Sequence, residues 1–161
     1  KLGFSIKLIA SSKINEDNLV EISAEPILLK NEKLLSNVND VYNAIEVTGS
    51  YTGKTLFYGK GAGMEPTASA VISDIVKIAT DSVINSSFFF DTKSHLETVD
   101  TNGLKHEFYI RTSKDFDLEA SALELYEEID NYYIIIAENI SRNELDETFK
   151  DVNEKLIMKI I

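Results

Sequence analysis

Cysteine is missing from all 161 residues, which removes disulfide frameworks and thiolate metal sites from consideration. Histidine is nearly as scarce, and His95 and His106 are too few and too isolated for an imidazole cluster. No run approaches the roughly 18 apolar residues of a membrane-spanning helix. The N-terminus also lacks the basic start, apolar run and cleavage site of a secretory signal. A cytoplasmic protein without a membrane partner is therefore expected, and Asn85-Ser86-Ser87 and Asn139-Ile140-Ser141 read as chance matches to the glycosylation pattern. Basic residues are in short supply: 16 Lys and Arg face 27 Asp and Glu, for a net charge of −11. Phosphate backbones need a basic surface, so nucleic acid is not an expected partner. An initiator Met is absent too, and a chain opening at Lys1 is expected to be a piece of something longer.

What is present is a chain of 43% hydrophobic composition, enough to bury a core in one domain or two small ones. Its most informative stretch is Tyr58-Gly59-Lys60-Gly61-Ala62-Gly63-Met64-Glu65-Pro66-Thr67-Ala68-Ser69-Ala70-Val71. Glycine reaches backbone angles closed to other residues and lets a ligand approach the main chain. Pro66 suits a first helical turn, and the unpaired N–H groups there favour an anion or a polar ligand edge. The spacing is not that of the dinucleotide fingerprint G-x-G-x-x-G, and no Gly-Lys-Ser/Thr follows as in a Walker A loop. Physics alone leaves a steric strand-to-helix turn at least as good a reading as a ligand site.

Hydrophobic patterning predicts strands over Phe4–Ile9, Leu19–Ala24 with Ile27–Leu29, Val41–Val47 and Thr55–Tyr58. Pro26 implies a bulge or an edge position. A hairpin through Gly49–Gly53 is expected, as is a helix from Thr67 to about Ile84 with a wide apolar surface from Val71, Ile72, Ile75, Val76, Ile78, Ala79 and Val83. Residues 86–105 read as a polar linker carrying Phe88-Phe89-Phe90, which pin it to the core. From His106 onward the pattern predicts strand–helix–strand–helix–strand, with an amphipathic helix over Asp117–Ile129 and a capping box at Ser141 and Glu144. The expected fold class is α+β: a mixed β-sheet covered by helices over 1–85, then a small α/β sandwich over 106–161.

The run Val41–Asp74, with its Asn-Ala-Ile strand, its Tyr-Gly-x-Gly-Ala-Gly turn and its Pro-Thr-Ala-Ser-Ala-Val helix start, resembles the late catalytic region of homoserine dehydrogenases. Lys1–Lys13 resembles the strand this family places shortly after its catalytic helix, and the resemblance fades after about residue 80. It implies NAD(P)-dependent interconversion of aspartate 4-semialdehyde and homoserine. Residues 1–85 would then be the C-terminal part of the catalytic and dimerisation domain, and 106–161 an ACT-like regulatory or assembly domain. The family's acidic–lysine motif Asp-x-x-Gly-x-Asp-x-x-x-Lys is absent, and Lys7, Lys54 and Lys60 stand in the wrong context to replace it. No catalytic residue and no metal ligand is therefore assigned, and the chain alone is expected to be inactive. The resemblance places Gly63 beside the nicotinamide, with Gly61 and Ala62 shaping the approach. Phe108–Arg111 resembles the first strand of an ACT module, but the usual Asp-x-Pro-Gly-Val turn is replaced by Thr112–Asp117, and one hairpin strand looks absent. A homodimer or larger homo-oligomer is expected. The alternatives are a non-catalytic dimerising or amino-acid-sensing module, and an unrelated α+β binding protein.

Overall fold

A computed structural model describes residues 2–80, 96–121 and 123–161. Val83, Phe88–Phe90, His95 and Ala122 lie outside the described residues. The chain divides into two compact units, one of residues 1–32 with 96–161 and the other of residues 33–95.

In the first unit, β1 (Phe4–Ile14) and β2 (Val20–Lys30) form a long antiparallel hairpin. Its turn is held by Asn15, whose Oδ1 accepts from the N–H groups of Asp17 and Leu19, while Asn18 takes a left-handed φ of 61°. Pro26 interrupts nothing: it sits opposite Leu8 in an unbroken register. On its other side the next strand is met only at Leu28, so the missing N–H falls where β2 is still an edge. Of the two expectations for Pro26, the edge position holds and the bulge does not.

The remaining strands of this unit are β5 (Lys105–Ser113), β6 (Leu125–Ile129), β7 (Tyr132–Ser141) and β8 (Lys155–Ile160). Together with the hairpin they make a six-stranded sheet in the order β1-β2-β8-β5-β7-β6. It is mixed because β2 and β8 run parallel, whereas all other neighbours are antiparallel. The helices of this unit are short, α2 (Leu118–Ser121) and α3 (Arg142–Thr148). The capping box expected at α3 is present, with the Ser141 hydroxyl accepting from the Glu144 N–H and the Glu144 carboxylate accepting from the Ser141 N–H.

The expected helix over Asp117–Ile129 is corrected here. Its described part is Leu118–Ser121, and Leu125–Ile129 form β6, which pairs with β7 from Leu125↔Ile135 to Ile129↔Tyr132. The two-residue turn Asp130-Asn131, with Asp130 at φ 51°, closes this hairpin. The strand that looked absent is thus present, and the element order is strand–helix–strand–strand–helix–strand. Within the larger sheet these four strands lie in the order β8-β5-β7-β6, the split βαβ arrangement of ferredoxin-like folds. Both helical segments cover the same face, where Phe108, Ile110, Ile135, Ala137, Leu145 and Phe149 form the buried core and Leu118 packs against it. Phe116 stacks on Phe149 at 4.3 Å between ring centroids. The opposite face buries Leu28, Met158 and Ile160.

The second unit begins with a 3-10 turn at Leu34–Asn37 and holds the antiparallel pair β3 (Tyr42–Gly49) and β4 (Gly53–Lys60), followed by α1 (Met64–Ala79). Gly53, at φ 67°, supplies the left-handed residue of the hairpin loop. Tyr42 and Tyr58 lie diagonally across the pair and stack at 4.9 Å. None of the residues of α1 is buried, and Val71, Ile72, Ile75, Val76 and Ile78 are each more than half exposed.

Candidate functional site

The turn between β4 and α1 needs two of its glycines for different reasons. Gly61 donates its N–H to the Val41 carbonyl at 3.0 Å, continuing the hairpin pairing past the end of β4. A Cβ there would lie 1.6 Å from Nδ2 of Asn43 and 2.5 Å from its Cγ, so the Asn43 side chain occupies the space that glycine leaves. Gly63, the residue capping α1, adopts φ 125° and ψ 158°, a combination that side chains disfavour. Its carbonyl then accepts from both the N–H (3.1 Å) and the hydroxyl (2.8 Å) of Thr67, which fixes the first helical turn. Ala62 carries neither constraint. Gly61, Ala62 and Gly63 are all exposed, so their main chain is open to an approaching group.

The three site residues expected from sequence therefore fall on one surface turn, at the start of a 16-residue helix whose first N–H groups have no partner in the helix itself. Glu65 lies in the first helical turn and is exposed. Asn43 is the residue that sequence reading missed. A lone amide in the apolar run of β3 was the available signal. Among the described residues, no group of three or more His, Asp or Glu side chains converges as a metal site would require.

A second polar cluster lies in the first unit. His106 on β5 and Lys159 on β8 approach to 3.2 Å, Nε2 to Nζ. An ammonium has only hydrogens to give, so Nε2 accepts and the neutral ring carries its proton on Nδ1. Burial, and then the charge of Lys159, hold the His106 pKa below the usual histidine value, while burial also lowers that of Lys159. The neighbour of His106 lies 53 positions away in the sequence, on an adjacent strand.

One unit with a mixed sheet carrying a ferredoxin-like set of four strands, and another with a hairpin that leads into a glycine turn and a helix, define an α+β protein. Residues 1–76 match the family model of homoserine dehydrogenase. The chain is 53% identical over 79 residues to the homoserine dehydrogenase of Helicobacter pylori and 44% over 77 residues to that of Pseudomonas aeruginosa. These matches cover 49% and 48% of this chain but only 18% of each relative. The structure of a homoserine dehydrogenase from Thiobacillus denitrificans superposes with a TM-score of 0.78 at 22% identity, over 99% of this chain and 43% of that one, which speaks for the fold. A structure of the S. aureus homoserine dehydrogenase at pH 7.0 matches with a TM-score of 0.63 and 30% identity, over 99% of this chain and 42% of that one. Residues 1–76 are thus similar to the homoserine dehydrogenase family, and the chain spans about a fifth of the length of the curated relatives it matches.

Proposed function

We propose that this chain is the C-terminal part of an NAD(P)-dependent homoserine dehydrogenase, which interconverts L-aspartate 4-semialdehyde and L-homoserine in the cytoplasm, on the route to threonine, methionine and isoleucine. The observation that carries this reading is the match of residues 1–76 to the family, together with the glycine turn that those residues build. By descent, residues 1–85 are the end of the catalytic and dimerisation domain and 106–161 an ACT-like regulatory or assembly domain. The βαββαβ order and its one-sided helices support the second assignment.

The turn fits a nicotinamide. Gly63 exposes its main chain in a conformation reserved for glycine and Ala62 adds only a methyl group, while at Gly61 the missing Cβ makes room for the Asn43 side chain and so lets the turn close. Bound there, the cofactor supplies the hydride that reduces the aldehyde. Gly63 lies beside the ring in this reading, Gly61 and Ala62 shape the approach, and α1 holds the turn through the two Thr67 bonds to the Gly63 carbonyl. The proton for the developing alkoxide comes from a Lys that this chain does not contain in the family's sequence context, so the chain alone is inactive. The full-length protein works as a homodimer or larger homo-oligomer. A nicotinamide-linked assay with aspartate semialdehyde, run on the full-length protein beside this chain, tests the reading. Turnover by the former and none by the latter is expected; a folded full-length protein without turnover overturns it.

A further inference from the structure

We infer that the cleft between β2, the 3-10 turn Thr101–Gly103 and the strands β5 and β8 binds a small carboxylate, taken by the Lys159 ammonium. The cleft measures about 200 Å³ and is lined by Glu25, Thr101, Asn102, His106, Arg142 and Lys159 among others. Lys159 and His106 also line a neighbouring cleft of about 260 Å³, on whose walls lie Lys13 and Glu21. Lys159 therefore stands between two openings rather than against a packed wall.

Its bonding is incomplete. The Lys159 ammonium has three hydrogens, and one of them meets His106. Among the described residues no carboxylate forms an ion pair with it, although it is half-buried. Glu25 and Glu21 act on this charge only through space, without reaching ion-pair distance, so a carboxylate entering the cleft and bonding the ammonium directly offsets part of the cost of its burial. The rest of the lining narrows the ligand. Arg142 is already paired with Asp146 through a 2.9 Å bond, so the pair adds little net charge. Glu25 brings one negative charge to the same wall, which opposes a phosphate dianion and favours a singly charged acid. A ligand that also carries an ammonium group gains from Glu25 in turn. The Thr101 hydroxyl and the Asn102 amide are the remaining polar groups on the wall.

The inference is independent of the proposed dehydrogenase activity and uses none of the glycine turn. His106 reports on it directly, since a carboxylate on Lys159 neutralises the nearest positive charge to the ring. The charged groups around His106 are Lys159, Lys13, Glu21 and Glu25, with Arg142 and Asp146 across the cleft. NMR titration of the His106 ring protons with acetate, glycine, inorganic phosphate and methylammonium tests it on the intact chain. Acetate and glycine are expected to shift the His106 signals saturably and to raise its pH midpoint, with glycine the tighter of the two. Lys159→Gln should weaken acetate binding by about tenfold or more, as loss of a charge-assisted hydrogen bond does. Lys159→Arg should retain binding, and the amide spectrum of each variant establishes that it is folded. The inference is overturned if neither carboxylate saturates, if phosphate or methylammonium binds more tightly than both, or if the shift survives in a folded Lys159→Gln chain.

Discussion

Gly61 and Gly63 sit two positions apart and resist substitution on different grounds, which gives each a separate test. Gly61→Ala drives a methyl group into the Asn43 amide, so it should destabilise the chain by about 1–3 kcal/mol, as overpacking does. Asn43→Ala in the same chain should restore most of that loss, and a double-mutant cycle by chemical denaturation measures the coupling. Gly63→Val meets a backbone penalty instead, because φ 125° is closed to a β-branched residue. If the full-length protein is the proposed dehydrogenase, this variant should raise its Michaelis constant for the nicotinamide or abolish turnover; unchanged kinetics would reduce Gly63 to a steric turn. Thr112 poses the opposite case. It is fully buried and its hydroxyl finds no partner among the described residues, so Thr112→Val should be neutral or stabilising by about 1 kcal/mol in a thermal melt.

The helix α1 carries apolar side chains on a surface that the chain leaves in solvent. Ile75→Glu should therefore change the unfolding free energy of this chain by no more than about 0.5 kcal/mol, while reducing self-association in sedimentation velocity. A large loss of stability would show that Ile75 is covered. The start and composition of this helix were legible because Gly63, Pro66 and the Ala-rich turn act within a few residues. The hairpins β1–β2 and β3–β4 were legible from apolar runs broken by polar or glycine turns, although β1 runs five residues further than its alternation suggests, to Ile14. The segment 117–129 was misread because Leu118, Ala122, Leu125 and Ile129 satisfy a helical period by coincidence. Asp130-Asn131 was the local sign of a hairpin, and the partner strand β7 decides the matter through tertiary pairing. Of the candidate site, the glycines were legible. The role of Asn43 was not, because it depends on β3 lying beside the turn, and His106 with Lys159 are joined only by the sheet.

Across the molecule, the pairing of His106 with Lys159 ties stability to pH. The His106 pKa is lowered in the folded chain, so between that value and the ordinary 6.5 the unfolded chain holds more protons. The stabilisation is complete above about 6.5 and is lost as pH falls through the folded value. The thermal midpoint should thus decline on mild acidification, and His106→Asn should flatten that part of the curve; an unchanged slope would remove His106 as its source. The sheet that holds this pair joins β2 to β8 through the single bridge Leu28↔Ile160, reinforced by the Ile161 N–H on the Leu28 carbonyl at 3.1 Å. During synthesis the β1–β2 hairpin leaves the ribosome almost a whole chain length before the strand it must lie beside. Until Ile160 emerges, Leu28 has no strand to meet on that side, and the order of translation makes this join a late step in assembling the sheet.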